Sequence, residues 1–293
     1  MVVVRQNRLS HKAALVLCIL AVALPCRGQI QILSITSSAN FVSGLLQPGS
    51  LASIFCTGLQ DISGVVVAKD LPYPRTLAGV RVAVNGIDAP ILAIAEIAGT
   101  YQQINLQIPW ETKTTSGLAF DLSQKGASAR ATPNSTDGWP VFFIESSGYV
   151  IAQHASDYRR VTQSDPAKPG EWIVVYATNL GPVQNQPADG QPALAGVLAP
   201  IVSDPSPYLS YYGLAAGAFA SYASPRIPSN YIGMAPGSIV YQVNLLVPES
   251  QTIGDLILQI VKIYDCGFFF TQNCGRGLTT VAASVPGKIP MAK

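Results

Sequence analysis

Few residues of this chain have the types and spacing that catalysis requires. His154 is the only histidine after residue 28, and it stands near Asp157 at the end of an apolar segment. A serine or cysteine nucleophile needs a base beside it, and neither a Gly-x-Ser-x-Gly turn nor a Cys-His pairing accompanies this histidine. A zinc site needs three or four protein ligands, which one histidine cannot supply. We therefore interpret His154 as a surface or strand-end histidine.

Carboxylates are the chemistry that the composition leaves open. A glycoside hydrolase needs only two carboxyl groups on either side of a sugar, and the chain has 16 acidic residues. Glu111, Glu145 and Glu171 stand close to apolar segments, but no motif pairs them. Calcium sites in loops use clustered Asp side chains and carbonyl groups, and no Asp-x-Asp-x-Asp pattern occurs. The sequence predicts no catalytic residue, no cofactor and no metal site, leaves calcium binding by loops open, and has an exported carbohydrate-active hydrolase as the alternative.

Cysteine usage suits an exported protein. Cys266 and Cys274 are separated by seven residues, and a disulfide can close a loop of this length. We expect this bond to hold the tip of a hairpin. Cys56 lies in an apolar segment and is interpreted as a small buried hydrophobic residue.

Tyrosines form the remaining candidate site. Five of them crowd into a stretch with few charges, namely Tyr208, Tyr211, Tyr212, Tyr222 and Tyr231. Tyrosine provides a large contact area at low entropic cost in recognition loops. The stretch is predicted to bind an extracellular glycan or protein, and packing of these rings onto their own domain is the alternative.

The N-terminus has the pattern of a secretory signal peptide. Basic residues precede an apolar run at residues 13–24, which stops at Pro25. A run of 12 residues is too short for a membrane-spanning helix, which needs about 20 residues. We predict that residues 1–28 are removed and that the mature protein is secreted or extracytoplasmic.

The charge of the mature chain excludes some partners. Residues 1–28 contain four basic residues and no acidic ones, so their removal changes the net charge from +2 to −2. Nucleic-acid binding needs a basic surface, which this composition does not provide. No second apolar run of membrane-spanning length follows. The sequence leaves the oligomeric state open.

Two pairs of similar segments recur in the same order. Residues 48–59 (PGSLASIFCTGL) resemble residues 169–180 (PGEWIVVYATNL), and residues 103–109 (QINLQIP) resemble residues 242–248 (QVNLLVP). A period above 100 residues is too long for a solenoid and indicates two copies of one domain. Between the landmark segments the second copy is 18 residues longer, and the extra length includes the tyrosine-rich stretch.

Short alternating segments separated by Gly and Pro predict an all-β fold. Charged residues make up only 12% of the chain, which disfavours long amphipathic helices. Asn85-Gly86 is a two-residue hairpin signal. The strands are predicted at residues 31–37, 51–55, 80–84, 103–108, 118–122 and 127–131, and at 142–144, 150–152, 172–176, 241–247, 256–264 and 278–284. We predict two tandem immunoglobulin-like antiparallel β-sandwiches, residues 29–137 and 138–293.

Several of these segments together resemble a known family. They are residues 48–55, 71–72, 82–86, 89–90, 103–111, 176–183, 235–237 and 241–244. The chain is similar to the Solibacter-type uncharacterised C-terminal domain family of bacterial secreted proteins. The resemblance implies an extracytoplasmic location and tandem immunoglobulin-like or TIG-like sandwiches, with no catalytic residues to assign. The sequence therefore predicts a secreted, non-enzymatic protein for binding, adhesion or surface structure.

Overall fold

The computed structural model describes residues 29–43, 46–114, 117–133, 140–202, 208–212, 226–249, 255–265, 279–283 and 287–292. Every helix or strand assigned in these ranges is a β-strand. All strand pairs are antiparallel, and they form four sheets arranged as two sandwiches. The predicted all-β fold of tandem sandwiches is confirmed.

The described part of the first sandwich contains ten strands. They are β1 (Gln31–Ser37), β2 (Leu51–Thr57), β3 (Val65–Val67), β4 (Thr76–Leu77), β5 (Val80–Val84), β6 (Ile87–Asp88), β7 (Ile91–Ile97), β8 (Tyr101–Gln107), β9 (Phe120–Gln124) and β10 (Ala127–Ala131). Sheet A has the order β1-β2-β8-β7-β3, and sheet B has the order β10-β9-β5-β4 with β6 paired to β5.

The second sandwich follows from residue 141. Its strands in the described ranges are β11 (Val141–Phe142), β12 (Ala152–His154), β13 (Trp172–Thr178), β14 (Ala199–Pro200), β15 (Tyr208–Tyr212), β16 (Arg226–Ile227), β17 (Ser229–Met234), β18 (Tyr241–Leu246), β19 (Leu256–Asp265), β20 (Thr279–Ala283) and β21 (Gly287–Ile289). Sheet C has the order β11-β13-β18-β17-β14, with β12 also on β13. Sheet D has the order β16-β15-β19-β20, with β21 on β19.

Alternation along the central strands places one face of each sheet in a core. On β2 and β8 the side chains of Ile54, Ile104 and Leu106 are fully buried between sheets A and B. On β13 and β18 Val175 and Val243 are fully buried in the core of the second sandwich. The residues between them point to the opposite, outer face of each sheet.

The similar segments of the sequence form strands that pair in the same register. On sheet A Phe55 faces Gln103, and on sheet C Tyr176 faces Gln242. The neighbouring strands β7 and β17 each have a β-bulge at the matching place, between Ile91 and Ala93 and between Ser229 and Tyr231. The two outer faces can therefore be compared residue by residue.

Local predictions differ in their outcome. Asn85 and Gly86 have φ values of 48° and 84° and connect β5 to β6, as predicted from the hairpin signal. The hairpin expected at residues 142–152 forms around the bridge between Ile144 and Val150, with Glu145 N donating to Tyr149 O at 2.8 Å and Ile151 N to Phe143 O at 2.7 Å. The named strands differ from the expected ones, because β11 and β12 are the parts of the two arms that also pair with β13.

Three sequence predictions lie outside the described residues. They are the signal peptide at residues 1–28, the domain boundary between residues 137 and 138, and the disulfide between Cys266 and Cys274. Cys56 is a buried free thiol, and burial raises its pKa to about 12. Within the described ranges no helix has the length and apolar character to cross a membrane.

Candidate functional site

An open cleft of about 610 Å³ lies on the outer face of sheet C. We call it the aromatic cleft, and its lining residues are Phe143, Ile151, Tyr158, Tyr176, Ala235, Pro236, Ser238, Val240 and Gln242. The lining combines three aromatic rings with an amide and hydroxyl groups, and none of its described residues has a charged side chain. Pockets of this size and composition are typical of ligand-binding sites.

Tyr176 and Gln242 are opposite each other on the two central strands of sheet C. The Tyr176 hydroxyl donates a hydrogen bond to Gln153 Oε1 at 2.5 Å, and Gln242 Nε2 donates to Asn244 Oδ1 at 2.7 Å. Burial raises the pKa of Tyr176, and the nearby Tyr158 raises it further. Tyr176 is therefore a neutral hydrogen-bonding group at physiological pH.

Tyr158 lies on the loop between β12 and β13 and is 66% exposed. Its φ of 59° is in the left-handed region, which is uncommon for a bulky residue. The loop is held by a hydrogen bond from Tyr158 N to His154 O at 2.9 Å and by one from Arg159 N to Asp157 Oδ1 at 3.0 Å. An exposed aromatic ring on a strained, well-bonded turn is a candidate for a functional role.

His154 ends strand β12, as interpreted from the sequence, but it is buried, with 5% of its surface exposed. Its Nδ1 lies 3.2 Å from both carboxylate oxygens of Glu171, and its Nε2 lies 3.3 Å from Asp165 O. These contacts join β12 to the segment that precedes β13. The histidine thus supports the loop that carries Tyr158.

The three glutamates considered for hydrolysis have different partners. Glu145 forms an ion pair with Arg160 at 2.6 Å, and Glu171 contacts His154. Glu111 lies beside the Asp189 carboxyl. The structure therefore does not bring the three glutamates into one site.

The Glu111 and Asp189 carboxyls border a second cavity of about 500 Å³, which Tyr73 and Arg75 also line. Asp189 is buried, and its carboxylate accepts hydrogen bonds from Trp110 N at 2.8 Å and from Arg75 Nη2 at 3.3 Å. Burial raises the pKa of Asp189, and the Glu111 carboxyl adds to this effect. Among the described residues, no group of three or more His, Cys, Asp or Glu side chains could hold a metal ion.

Of the five predicted tyrosines, Tyr231 has a described side chain, and it does not line the aromatic cleft. Tyr208, Tyr211 and Tyr212 lie on β15, which pairs with β19 in sheet D, and Tyr222 lies outside the described residues. Tyr231 is half-buried, and its hydroxyl donates to Met234 O at 2.7 Å. Binding by these tyrosines stays a prediction.

Sequence reasoning missed Tyr158 and Tyr176. Tyr176 lies in a repeated segment, which was assigned to the framework of the fold. The available signal was the alternation of these segments, because every second residue of a half-buried strand faces outward. Tyr176 and Gln242 share that outward phase with Phe55 and Gln103.

The first sandwich has an aromatic cluster at the matching place. Phe41 has a φ of 58°, and its N–H donates to Ser37 O at 2.9 Å, as Tyr158 does to His154. Phe55 packs edge to face against Phe41 and Tyr101, with centroid distances of 5.8 and 5.7 Å. Tyr101 precedes Gln103 by two residues, and the matching residue before Gln242 is Val240. A ring thus occupies the place where the second sandwich has an open cleft.

The chain matches no protein-family model, and no curated protein is similar to it at a significant level. The resemblance to the Solibacter-type family therefore stays a prediction.

Proposed function

We propose that this chain is a secreted, non-enzymatic binding protein whose ligand site is the aromatic cleft. The observation that carries the proposal is the contrast between matching faces. The first sandwich packs two of its own rings against Phe55, whereas Tyr176 borders an open cleft. Aromatic rings that line an open cleft contribute less to folding stability than rings packed in a cluster. Exposed apolar clefts of this kind are characteristic of binding sites.

The sequence supports the other parts of this proposal. The N-terminal basic and apolar pattern favours export, and the similar segments favour a duplicated domain. After a duplication, the outer face of one sandwich can remain purely structural while that of the other evolves a ligand-binding site.

Binding is favoured over glycoside hydrolysis by the contact between the two paired carboxyls. Hydrolases hold their carboxyl groups about 5 to 5.5 Å apart for retention and about 6.5 to 9.5 Å apart for inversion. Asp189 and Glu111 lie beside each other, and the Asp189 carboxylate is buried and already accepts hydrogen bonds from two protein groups rather than facing a sugar. Asp189 is also engaged by Trp110 and Arg75, which gives it a role in joining the two sandwiches.

The test is a substitution that closes the cleft in the way the first sandwich does. Val240→Tyr places a ring where Tyr101 stands in the matching strand. The labelled mature chain is applied to arrays of oligosaccharides and of extracellular-type peptides, including proline-rich ones. We expect the wild type to bind a subset of these probes and the variant to bind them at least tenfold more weakly.

Val67→Tyr is the matched control, because Val67 is 57% exposed on edge strand β3, in the other sandwich. It should bind as the wild type does. Equal binding by Val240→Tyr, or no binding of the wild type to any probe, would refute the proposed function.

A further inference from the structure

We propose that the aromatic cleft binds a neutral oligosaccharide. This inference rests on the proposed function and adds the chemical class of the ligand. Its starting point is that none of the described residues lining the cleft has a charged side chain. A charged ligand would lose its hydration there without gaining an opposite charge, so the lining selects for a neutral molecule.

The three rings favour a ligand with extended apolar faces. Phe143, Tyr158 and Tyr176 line one cleft of about 610 Å³, which is within the usual range of about 300 to 1,000 Å³ for small-ligand sites. A pyranose ring presents a flat C–H face and a rim of hydroxyl groups. The C–H face can pack on an aromatic ring, while the rim reaches the polar groups of the lining.

The polar groups distinguish a sugar from a proline-rich peptide, which also packs in aromatic grooves. The Gln242 side chain uses one N–H for Asn244, which leaves a second N–H donor and the acceptor capacity of Oε1. Adjacent hydroxyl groups of a sugar supply both a donor and an acceptor to such an amide. A polyproline segment has carbonyl acceptors but lacks N–H donors, so it cannot satisfy the Gln242 oxygen.

The site is also ordered before the ligand arrives. The Tyr176 hydroxyl is bonded to Gln153, and Gln153 Nε2 donates to Tyr158 O at 2.8 Å. One glutamine side chain therefore links the strand tyrosine to the loop that carries the exposed tyrosine. Groups held in place before binding lose less conformational entropy when the ligand binds.

The experiment measures dissociation constants of the mature chain by NMR titration. The probes are neutral gluco-, xylo- and manno-oligosaccharides, a uronic-acid oligosaccharide and a proline decapeptide. At least one neutral oligosaccharide should bind, and Tyr158→Ala and Gln242→Leu should each weaken it by at least tenfold. The acidic sugar and the decapeptide should bind at least tenfold more weakly than the best neutral sugar.

Gln103→Leu is the matched control, because Gln103 has the same strand position and the same hydrogen bond, from Nε2 to Asn105 Oδ1 at 2.7 Å, in the first sandwich. It should leave sugar binding unchanged, and thermal unfolding checks that all variants are folded. Sugar binding that is insensitive to both cleft variants overturns the inference. The inference is also overturned if only the decapeptide or the acidic sugar binds and Val240→Tyr weakens that binding. The proposed function then stands. If no probe binds, both proposals fail.

Discussion

The outer faces of sheets A and C have matching backbones and different surfaces. In each sandwich an aromatic residue with a left-handed backbone conformation, Phe41 or Tyr158, follows the strand that pairs with β2 or β13. Each outer face also has a strand with the sequence Gln-x-Asn beside a central aromatic residue. In sheet A the rings of Phe41 and Tyr101 pack on Phe55. In sheet C the smaller Val240 replaces the third ring, and the space becomes a cleft.

The difference shows how one position can decide whether an outer face has a cluster of packed rings or an open cleft. Edge-to-face ring pairs contribute about 0.5 to 1.5 kcal/mol each beyond the area they bury. The first sandwich uses its rings for its own stability. The second sandwich lacks part of that stabilisation and leaves aromatic surface in the cleft, where we propose that a ligand binds.

A loop of the second sandwich also covers one end of the outer face of sheet A. Gly190 N donates to Gln107 Oε1 at 2.7 Å, and Tyr73 N donates to Gly190 O at 2.9 Å. Gly190 has a φ of 73°, and a Cβ there would lie 3.0 Å from the Tyr73 backbone. Only glycine allows this close approach without strain. On the outer face of sheet A, Phe55 is thus contacted by rings of its own sandwich and Gln107 by this loop of the other one.

The largest losses of stability should come from substitutions on the inner faces of sheets A and C. There we expect matching residues of the two sandwiches to contribute equally. Leu106→Ala and Leu245→Ala each remove a fully buried leucine at matching positions of β8 and β18. Each should lower the free energy of unfolding of its sandwich by about 2 to 5 kcal/mol, because the transfer free energy is lost and a cavity remains. Denaturant unfolding measures this. Costs that differ by more than about 2 kcal/mol would show that the two cores are not equivalent.

Smaller and unequal effects are expected on the outer faces. Phe55→Ala should cost about 2 to 3 kcal/mol, because two ring pairs and a half-buried side chain are lost. Tyr176→Ala should cost about 1 to 2 kcal/mol, from partial burial and the hydrogen bond to Gln153. The same unfolding experiments give both values. A Tyr176 cost equal to or above that of Phe55 would contradict the division into a structural and a binding face.

The smallest effect should be the pH dependence of the contact that joins the sandwiches. Asp189 is surrounded by Trp110 N–H, Arg75 and Glu111, and its pKa is raised by burial and then by Glu111. A raised carboxyl pKa means that the folded state favours the protonated form. The contribution of Asp189 to stability is therefore full below its ordinary value of about 3.9 and declines as the pH rises through the folded-state pKa.

Asp189→Asn removes this titration, so the two proteins are compared by denaturant unfolding from about pH 4 to about pH 7. We expect the wild type to lose stability relative to the variant as the pH rises. A relative gain over that range would mean that Arg75 dominates the environment of Asp189. The ion pair with Arg75, rather than burial, would then determine the charge state of Asp189 at this contact.

The sequence predicted the strands better than the site. The strand at Val80–Val84 and the turn at Asn85-Gly86 follow from alternation and from the turn chemistry of adjacent residues. The site depends on residues far apart in the chain, such as Tyr176 and Gln242, which meet through strand pairing. His154 was expected to be a surface or strand-end residue; it is a buried strand-end residue that contacts Glu171, which lies 17 residues away along the chain.

By itself the sequence determined the all-β class and the two sets of matching strands, because alternation and turn residues act over a few neighbouring positions. Only the tertiary structure decided which matching face is open. Whether Phe55 or Tyr176 is covered depends on a residue of another strand, Tyr101 or Val240, and on loops that pack from elsewhere in the chain. Local sequence carries no record of such contacts, since side chains on adjacent strands meet only after the register is set.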